Sequence, residues 1–496
     1  MIEYRKLKRK FKEYGLLNDI SGILSWDMAT MMPLLSRKHR IAQINIINEN
    51  KKKIFDEFKR SELFRKIDKN KLNTEEEKNF SLMKKKFDYF DAIPIELINK
   101  KSLLSIECEG FWRNARKDGS FKVVSRKFSQ LVDVVKEESK ILSERWEKSK
   151  YDALVYKYDS SLNYKLLKSI FTDLEDFLKK NLKKIIKIQN SESHIEIKKK
   201  LNEKEQFQIS KFFMRKLGFN FKKGRIDKSL HPFCGGSTED VRITTRFTES
   251  DSFSCFDALM HETGHALYEL GLPKKWFYQP IGEAGGMSLH ESQSLFIEMQ
   301  LVKSLHVSKF IEKYLREKFY RNESCWNFKN IYNSRIKVEK NFIRVDADEV
   351  QYPLHIIHRF NIEYEIIENN EKVENLPDIW NYNFKKLFNF DVKNDNVGCL
   401  QDIHWYSGDF GYFPTYTIGA LIAAQLRHTI EREIPDFRKL IQIGEFNKVI
   451  NWLKKKFHSK GSLYKIDELL DNITGEKLNT KFFKNHIIER YINKSF

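Results

Sequence analysis

Apolar residues in this chain recur at intervals of three and four over long stretches, and that spacing constrains the fold more than any other feature. The series Leu167, Ile170, Phe171, Leu174, Phe177, Leu178 and Leu182 marks one face of a helix. Similar patterning runs through roughly residues 1–225 as successive amphipathic helices. Only 9 Pro and 20 Gly interrupt 496 residues, which favours long helices over a turn-rich β protein. A chain of this length can bury a large core, and no Pro-rich or Gly/Ser-rich linker divides it. The expectation is one mainly α unit, residues 1–496, with a largely helical lobe over about 1–225 and a second region over about 226–496.

The formal charge of +20 raises the question of an anionic partner. The basic residues fall in short Lys runs (Lys51 to Lys53, Lys84 to Lys86, Lys198 to Lys200, Lys454 to Lys456), interleaved with Glu and Asp. No nucleic-acid motif accompanies them, so no nucleic-acid partner is expected. The five Cys are odd in number and scattered, which argues against a disulfide framework or a Cys-based metal site. Residues Met1 to Tyr14 are charged, with no apolar signal core, and no apolar run approaches membrane-spanning length. A reducing cytoplasm and no membrane partner fit these features.

Between about 230 and 300 the chain becomes richer in Gly, His and Thr. Val241, Ile243, Thr245 and Phe247 alternate with polar residues, which predicts a short strand. Next comes His261-Glu262-Thr263-Gly264-His265, inside an apolar run that stops at Gly271. In a helix, His261 and His265 project from one face, as Zn²⁺ ligation requires, and Glu262 beside them is placed to act as general base on a metal-activated water. A catalytic site needs a third protein ligand. Glu291, on a helix returning after Pro273 to Gly286, is the first candidate. His290 and Glu298 compete with it, and a solvated Glu291 is the bland alternative; spacing alone does not choose.

Further segments follow the same order as in a known family: His231-Pro232-Phe233, Asp240 to Thr244, His261 to His265, His290 to Gln293, Ile343 to Asp348, and Gly398 to Trp405. Trp26-Asp27 with Thr30, Met32-Pro33, Arg40 and Gln43 near the start, and Trp452-Leu453, His458, Gly461 and Thr474-Gly475 near the end, extend the match. The chain resembles the carboxypeptidase Taq family of thermostable zinc metallocarboxypeptidases; residues 45–225 match only loosely. The resemblance implies a helical peptidase with two lobes, a deep central groove and a small β element beside the zinc helix. It implies His261, His265 and Glu291 as metal ligands, Glu262 as the base, and Zn²⁺ as the metal, with Co²⁺ or Mn²⁺ as alternatives for an N/O site. It also implies a homodimer acting with broad specificity on peptides with a free C-terminus.

Within that frame Arg344 is the candidate for the substrate carboxylate, since its planar fork takes both oxygens. An ion pair with Asp346 or Asp348 is its structural alternative. His404 and Tyr416 are candidates for stabilising the oxyanion, and Tyr412 for touching the substrate carboxylate. His231 is either a substrate contact or a loop brace, and Arg242 likewise. His355 and His358 are expected to be structural or exposed. Two rival functions remain: an oligopeptidase or endopeptidase on a similar scaffold, and a basic binding protein whose metal is structural.

Overall fold

A computed structural model describes residues 2–229 and 232–494, the side chain of Leu34 excepted. His231, one of the candidate substrate contacts, lies outside the described residues. Helices dominate, and their ends carry the expected chemistry. Asn73 and Asn202 form capping boxes with Glu76 and Glu205, and Asn163 caps Tyr164–Asn190 through the Leu166 N–H. Along Tyr164–Asn190 the predicted stripe is the buried face: Leu167, Ile170, Phe171, Leu174 and Leu178 are buried, and Phe177 and Leu182 pack at its margin. Among the described residues no helix is long and apolar enough to cross a membrane.

Among the described residues, apolar packing falls into two cores. The first joins the helices Ile2–Thr30, Arg37–Ser61 and Thr74–Ala92 through Tyr4, Leu7, Phe11, Phe55, Phe58, Phe80 and Met83. It is largely aromatic, with Phe55 and Phe90 stacked at 4.4 Å. The second, much larger core takes in the remaining helices and the sheet. Arg40 pins the first helical pair, donating to Asp27 Oδ2 at 2.7 Å, the Leu24 carbonyl at 2.8 Å and Gln43 Oε1 at 2.9 Å.

Among the described residues the β element has three strands: β1 (Gly224–Lys228), β2 (Phe233–Ser237) and β3 (Asp240–Thr245), in the order β1-β3-β2. β3 pairs parallel to β1 and antiparallel to β2, with Cys234 opposite Ile243 and Gly235 opposite Arg242. Val241, Ile243 and Thr245 point into the core as their alternation predicts; the strand ends at Thr245, before Phe247. The sheet lies against the helix Ser254–Gly271, which carries the His-Glu-x-x-His motif. On its other side the first helix comes close enough that a Cβ on Gly22 would sit 2.9 Å from the Gly236 carbonyl oxygen. The motif helix is therefore held between the sheet and the other helices of the large core.

Candidate active site

The motif helix, Ser254–Gly271, buries Phe256, Leu259, Met260, Ala266 and Leu267, leaving His261 and His265 half-buried on the opposite side. Gly264 has a specific cause. A Cβ there would lie 2.3 Å from the Gln293 carbonyl oxygen and 2.5 Å from Ser294 Cα, so only glycine lets the returning helix, Met287–Leu295, cross this closely. A glycine inside a helix costs about 1 kcal/mol, and here it brings Glu291 under the two histidines. Gly419, on Pro414–Glu433, does the same from the far side: its Cβ would meet Glu291 Cβ at 2.8 Å.

One ligand atom each from His261, His265 and Glu291 lies within 4.8 Å of the others. His261 Nε2 stands 3.8 Å from Glu291 Oε1, and His265 Nε2 stands 3.4 Å from Glu291 Oε2. The two residues that competed with Glu291 in the sequence take up the outer nitrogens instead. His261 Nδ1–H donates to Glu298 Oε2 at 2.9 Å. Glu298 is carried by a π-helical stretch, Phe296–Val302, that continues the returning helix, and Lys303 grips its other oxygen at 2.8 Å. Behind Lys303, Asp257 lies 3.6 Å away and is itself paired with Arg335.

On the other ligand, His265 Nδ1 meets His290 Nδ1 at 2.6 Å, and His290 Nε2–H donates to Glu269 Oε1 at 2.9 Å. A carboxylate only accepts, so Glu269 keeps the His290 proton on Nε2. His290 Nδ1 then accepts from His265 Nδ1–H, which leaves the His265 Nε2 lone pair facing the cluster. Both imidazoles thus present Nε2 inward, the tautomer a metal requires.

Charge at the cluster is strongly perturbed. Burial pushes the Glu262 carboxyl up to about 7; His261 opposes this and Glu291 adds to it. Glu291 is held below the usual carboxylate range: burial works against ionisation, and His261 and His265 overcome it. Burial lowers His265 to about 4, while His261 rises to about 10 because Glu291, Glu298 and Glu262 outweigh its own burial. Three carboxylates around one half-buried imidazole create a field for positive charge. Two inward nitrogens and a carboxylate at its centre fit a divalent cation.

Arg344 is buried, and its ion pair is with Asp402, not with Asp346 or Asp348. Its Nε and Nη2 donate to Asp402 Oδ1 at 2.9 and 2.8 Å, and Nη1 donates to Tyr352 OH at 2.5 Å. Arg359 donates to the other Asp402 oxygen at 2.7 Å, so one carboxylate orients two guanidinium groups and stays well below the usual range although buried. The Tyr416 ring lies 5.1 Å from the Arg344 guanidinium, and Tyr416 OH is 3.0 Å from His404 Nε2. Tyr412 stands edge-on to Tyr416, ring centroids 5.3 Å apart. Burial raises the Tyr352, Tyr412 and Tyr416 phenols, with the Glu291 charge adding to each; Tyr416 lies on the same helix as Gly419, which packs against Glu291.

Other candidates lie further from the three-ligand cluster or pack within the core. Arg242 is paired with Asp240 at 2.7 Å and lies 4.4 Å over the Trp26 ring. His355 and His358 are buried rather than exposed; they pack on Phe388 and Trp380 at 4.6 and 4.4 Å, and burial keeps both neutral. Glu349 takes Arg490 at 2.7 Å and His486 at 2.8 Å, anchoring the end of the chain. His458, at the foot of the motif helix, donates to Gln293 Oε1 at 2.9 Å and stands where Gly271 could not carry a Cβ.

Sequence reasoning did not single out Glu269, Lys303, Tyr352 or Arg359. Glu269 had a signal: it continues the His261–His265 face by one more turn. Lys303 and Arg359 sit among many other cations and had none.

The family model described as carboxypeptidase Taq (M32) metallopeptidase matches residues 6–491. Carboxypeptidase 1 of Bacillus subtilis is 30% identical over 499 residues, covering 99% of this chain and 98% of its own. Thermostable carboxypeptidase 1 of Pyrococcus furiosus is 30% identical, with 98% of each chain covered. The solved structure of Trypanosoma cruzi metallocarboxypeptidase 1 superposes with a TM-score of 0.95 at 32% identity, covering 99% of this chain and 100% of that one.

Proposed function

The chain belongs to the carboxypeptidase Taq (M32) metallopeptidase family and is a metal-dependent peptide hydrolase of carboxypeptidase type; from that premise we propose that it removes C-terminal residues from peptides with broad specificity, using zinc held by His261, His265 and Glu291. The observation that carries this reading is the convergence of those three ligand atoms beside Glu262. When bound, the metal supplies Lewis acidity, polarising the scissile carbonyl and acidifying water. Cobalt or manganese suits the same donors.

Glu262 takes the proton of the attacking water and passes it to the leaving amine. Next to His261 in the motif, its carboxylate is placed for both halves of that task. Tyr416, hydrogen-bonded to His404, donates to the developing oxyanion. Arg344 takes the terminal carboxylate: its contacts with Asp402 and Tyr352 leave N–H donors on both Nη1 and Nη2. Tyr412 borders the same space, and Arg242 acts by holding β3 against Trp26. A substrate contact by His231 rests on the resemblance alone.

We further propose that the whole chain acts as one unit and pairs as a homodimer. Apolar side chains left exposed on the first helical pair, such as Met28 and Ile46, are surface that pairing would cover. Five free thiols accord with a reducing cytoplasm.

The test of terminal recognition is a matched pair of peptides, one with a free C-terminus and one amidated. Stepwise loss of residues from the free peptide only is expected; equal cleavage of both would support the endopeptidase reading. Arg344→Ala, assayed on the free peptide, should raise KM more than it lowers kcat.

A further inference from the structure

Glu363, on the helix Tyr352–Ile367, is completely buried and matches none of the motifs that carry the family resemblance. Its Oε1 accepts from Trp405 Nε1 at 2.8 Å. Its Oε2 accepts from Tyr151 OH at 2.8 Å and from the Gly411 backbone N–H at 3.0 Å. Among the described residues no ion pair joins it to a cation; Arg359, one turn earlier on the same helix, is taken by Asp402. A buried carboxylate of this kind is costly, and an apolar side chain of similar volume is often as stable or more so.

The donors that Glu363 collects are not scattered. Trp405 directly follows His404, and Gly411 directly precedes Tyr412. The segment between them is a tight loop in which the Ser407 and Asp409 N–H groups donate to the His404 carbonyl at 3.1 and 2.9 Å. Gly411 has φ +82°, and a Cβ there would stand 2.8 Å from the backbone at Leu154 and Val155. The loop is thus pressed on one side by the helix Lys150–Tyr158 and tied on the other by one carboxylate. The His404–Tyr416 contact of 3.0 Å and the Tyr412–Tyr416 ring contact both emerge from its two ends.

We propose that Glu363 is a positioning residue for the oxyanion-stabilising group: its carboxyl group, with a donor on each oxygen, ties both ends of the Trp405–Gly411 loop and so fixes His404 and Tyr412 against Tyr416. This rests on the assignment of Tyr416 and His404 above. The stereochemistry makes a specific demand. All three donors need an acceptor, and the Trp405 and Gly411 N–H groups cannot reverse roles. In Glu363→Gln the side-chain NH₂ must therefore face one of them. With its oxygen toward Tyr151 and Gly411, the NH₂ confronts Trp405 Nε1–H, and Trp405→Phe removes that conflict.

The experiment compares E363Q, W405F, the double variant and Y416F as full-length, metal-loaded enzyme, reading kcat, KM, metal content and Tm. E363Q is expected to lose about tenfold or more in kcat, with KM and metal content nearly unchanged, because the displaced groups act on the transition state. E363Q/W405F should regain at least about threefold over E363Q, a non-additivity expected only if the two side chains share one function. Wild-type kcat in E363Q, or a double variant no better than E363Q, overturns the proposal even if Tm falls. Should E363Q fail to fold, W405F decides: a lower kcat at constant KM supports the proposal, and an unchanged kcat removes it. Y416F separates the two layers, since full kcat in that variant refutes the oxyanion assignment itself, whatever E363Q does.

Discussion

The two histidines of the motif helix face the same cluster, yet they are held in different ways. His261 is backed by a carboxylate, Glu298, which Lys303 grips from behind. His265 is backed by another imidazole, His290, whose partner Glu269 lies one step further out. Both arrangements turn Nε2 toward the cluster, but a carboxylate at first remove also makes its imidazole a stronger donor, whereas a second ring mainly fixes orientation. The site thus joins one ligand tuned by charge to one tuned by geometry.

Removing a ligand outright should dominate any such contrast. Glu291→Ala is expected to strip the metal at dialysis concentrations and abolish peptide hydrolysis, read by elemental analysis and turnover together. Next, Glu298→Ala should weaken metal retention by about 10- to 100-fold in a chelator competition, while His290→Ala should cost about tenfold or less. Equal losses in the two variants would erase the distinction between charge and geometry. Glu298→Gln sharpens it further: an amide oxygen still accepts from His261 Nδ1, while the charge and the Lys303 contact on the other oxygen are lost.

Much of this was legible in the sequence, for reasons that differ by residue. The helical stripe of Tyr164–Asn190 and the strand through Val241, Ile243 and Thr245 follow from local periodicity, although the alternation ran on to Phe247, beyond the strand's end. Helix positions 261 and 265 follow from the 3.6-residue turn. By contrast, the spacing put Glu291 first but left His290 and Glu298 in competition with it, because which of them points inward depends on how the returning helix crosses at Gly264 and then widens into a π-helix. The partner of Arg344 was likewise out of reach: Asp346 and Asp348 are near in sequence, but Asp402 arrives from a separate loop. Buried groups such as Glu363 and Arg359 look like surface charges until tertiary structure encloses them.

The smallest expected effect lies away from the site and isolates what a cation does to a buried carboxylate. Glu138 is buried between Lys101 and Lys157, each at 2.7 Å. Burial opposes its ionisation, yet the two lysines carry it down to about 2, as Lys303 and His261 do for Glu298. The folded value lies below the unfolded one, near 4.3, so this stability is present above that pH and is lost as pH falls toward 2. Tm measured from pH 6 to pH 3 should therefore fall less steeply in Glu138→Gln than in the wild type, from a lower starting value.

The central claim concerns Glu262, and one measurement reaches it directly: the metal content of purified Glu262→Gln beside its rate on a peptide with a free C-terminus. A full complement of metal with turnover reduced by at least about 100-fold is the predicted result, since the variant keeps the ligands and loses only the base. Metal-replete Glu262→Gln that still releases C-terminal residues at the wild-type rate would contradict the account.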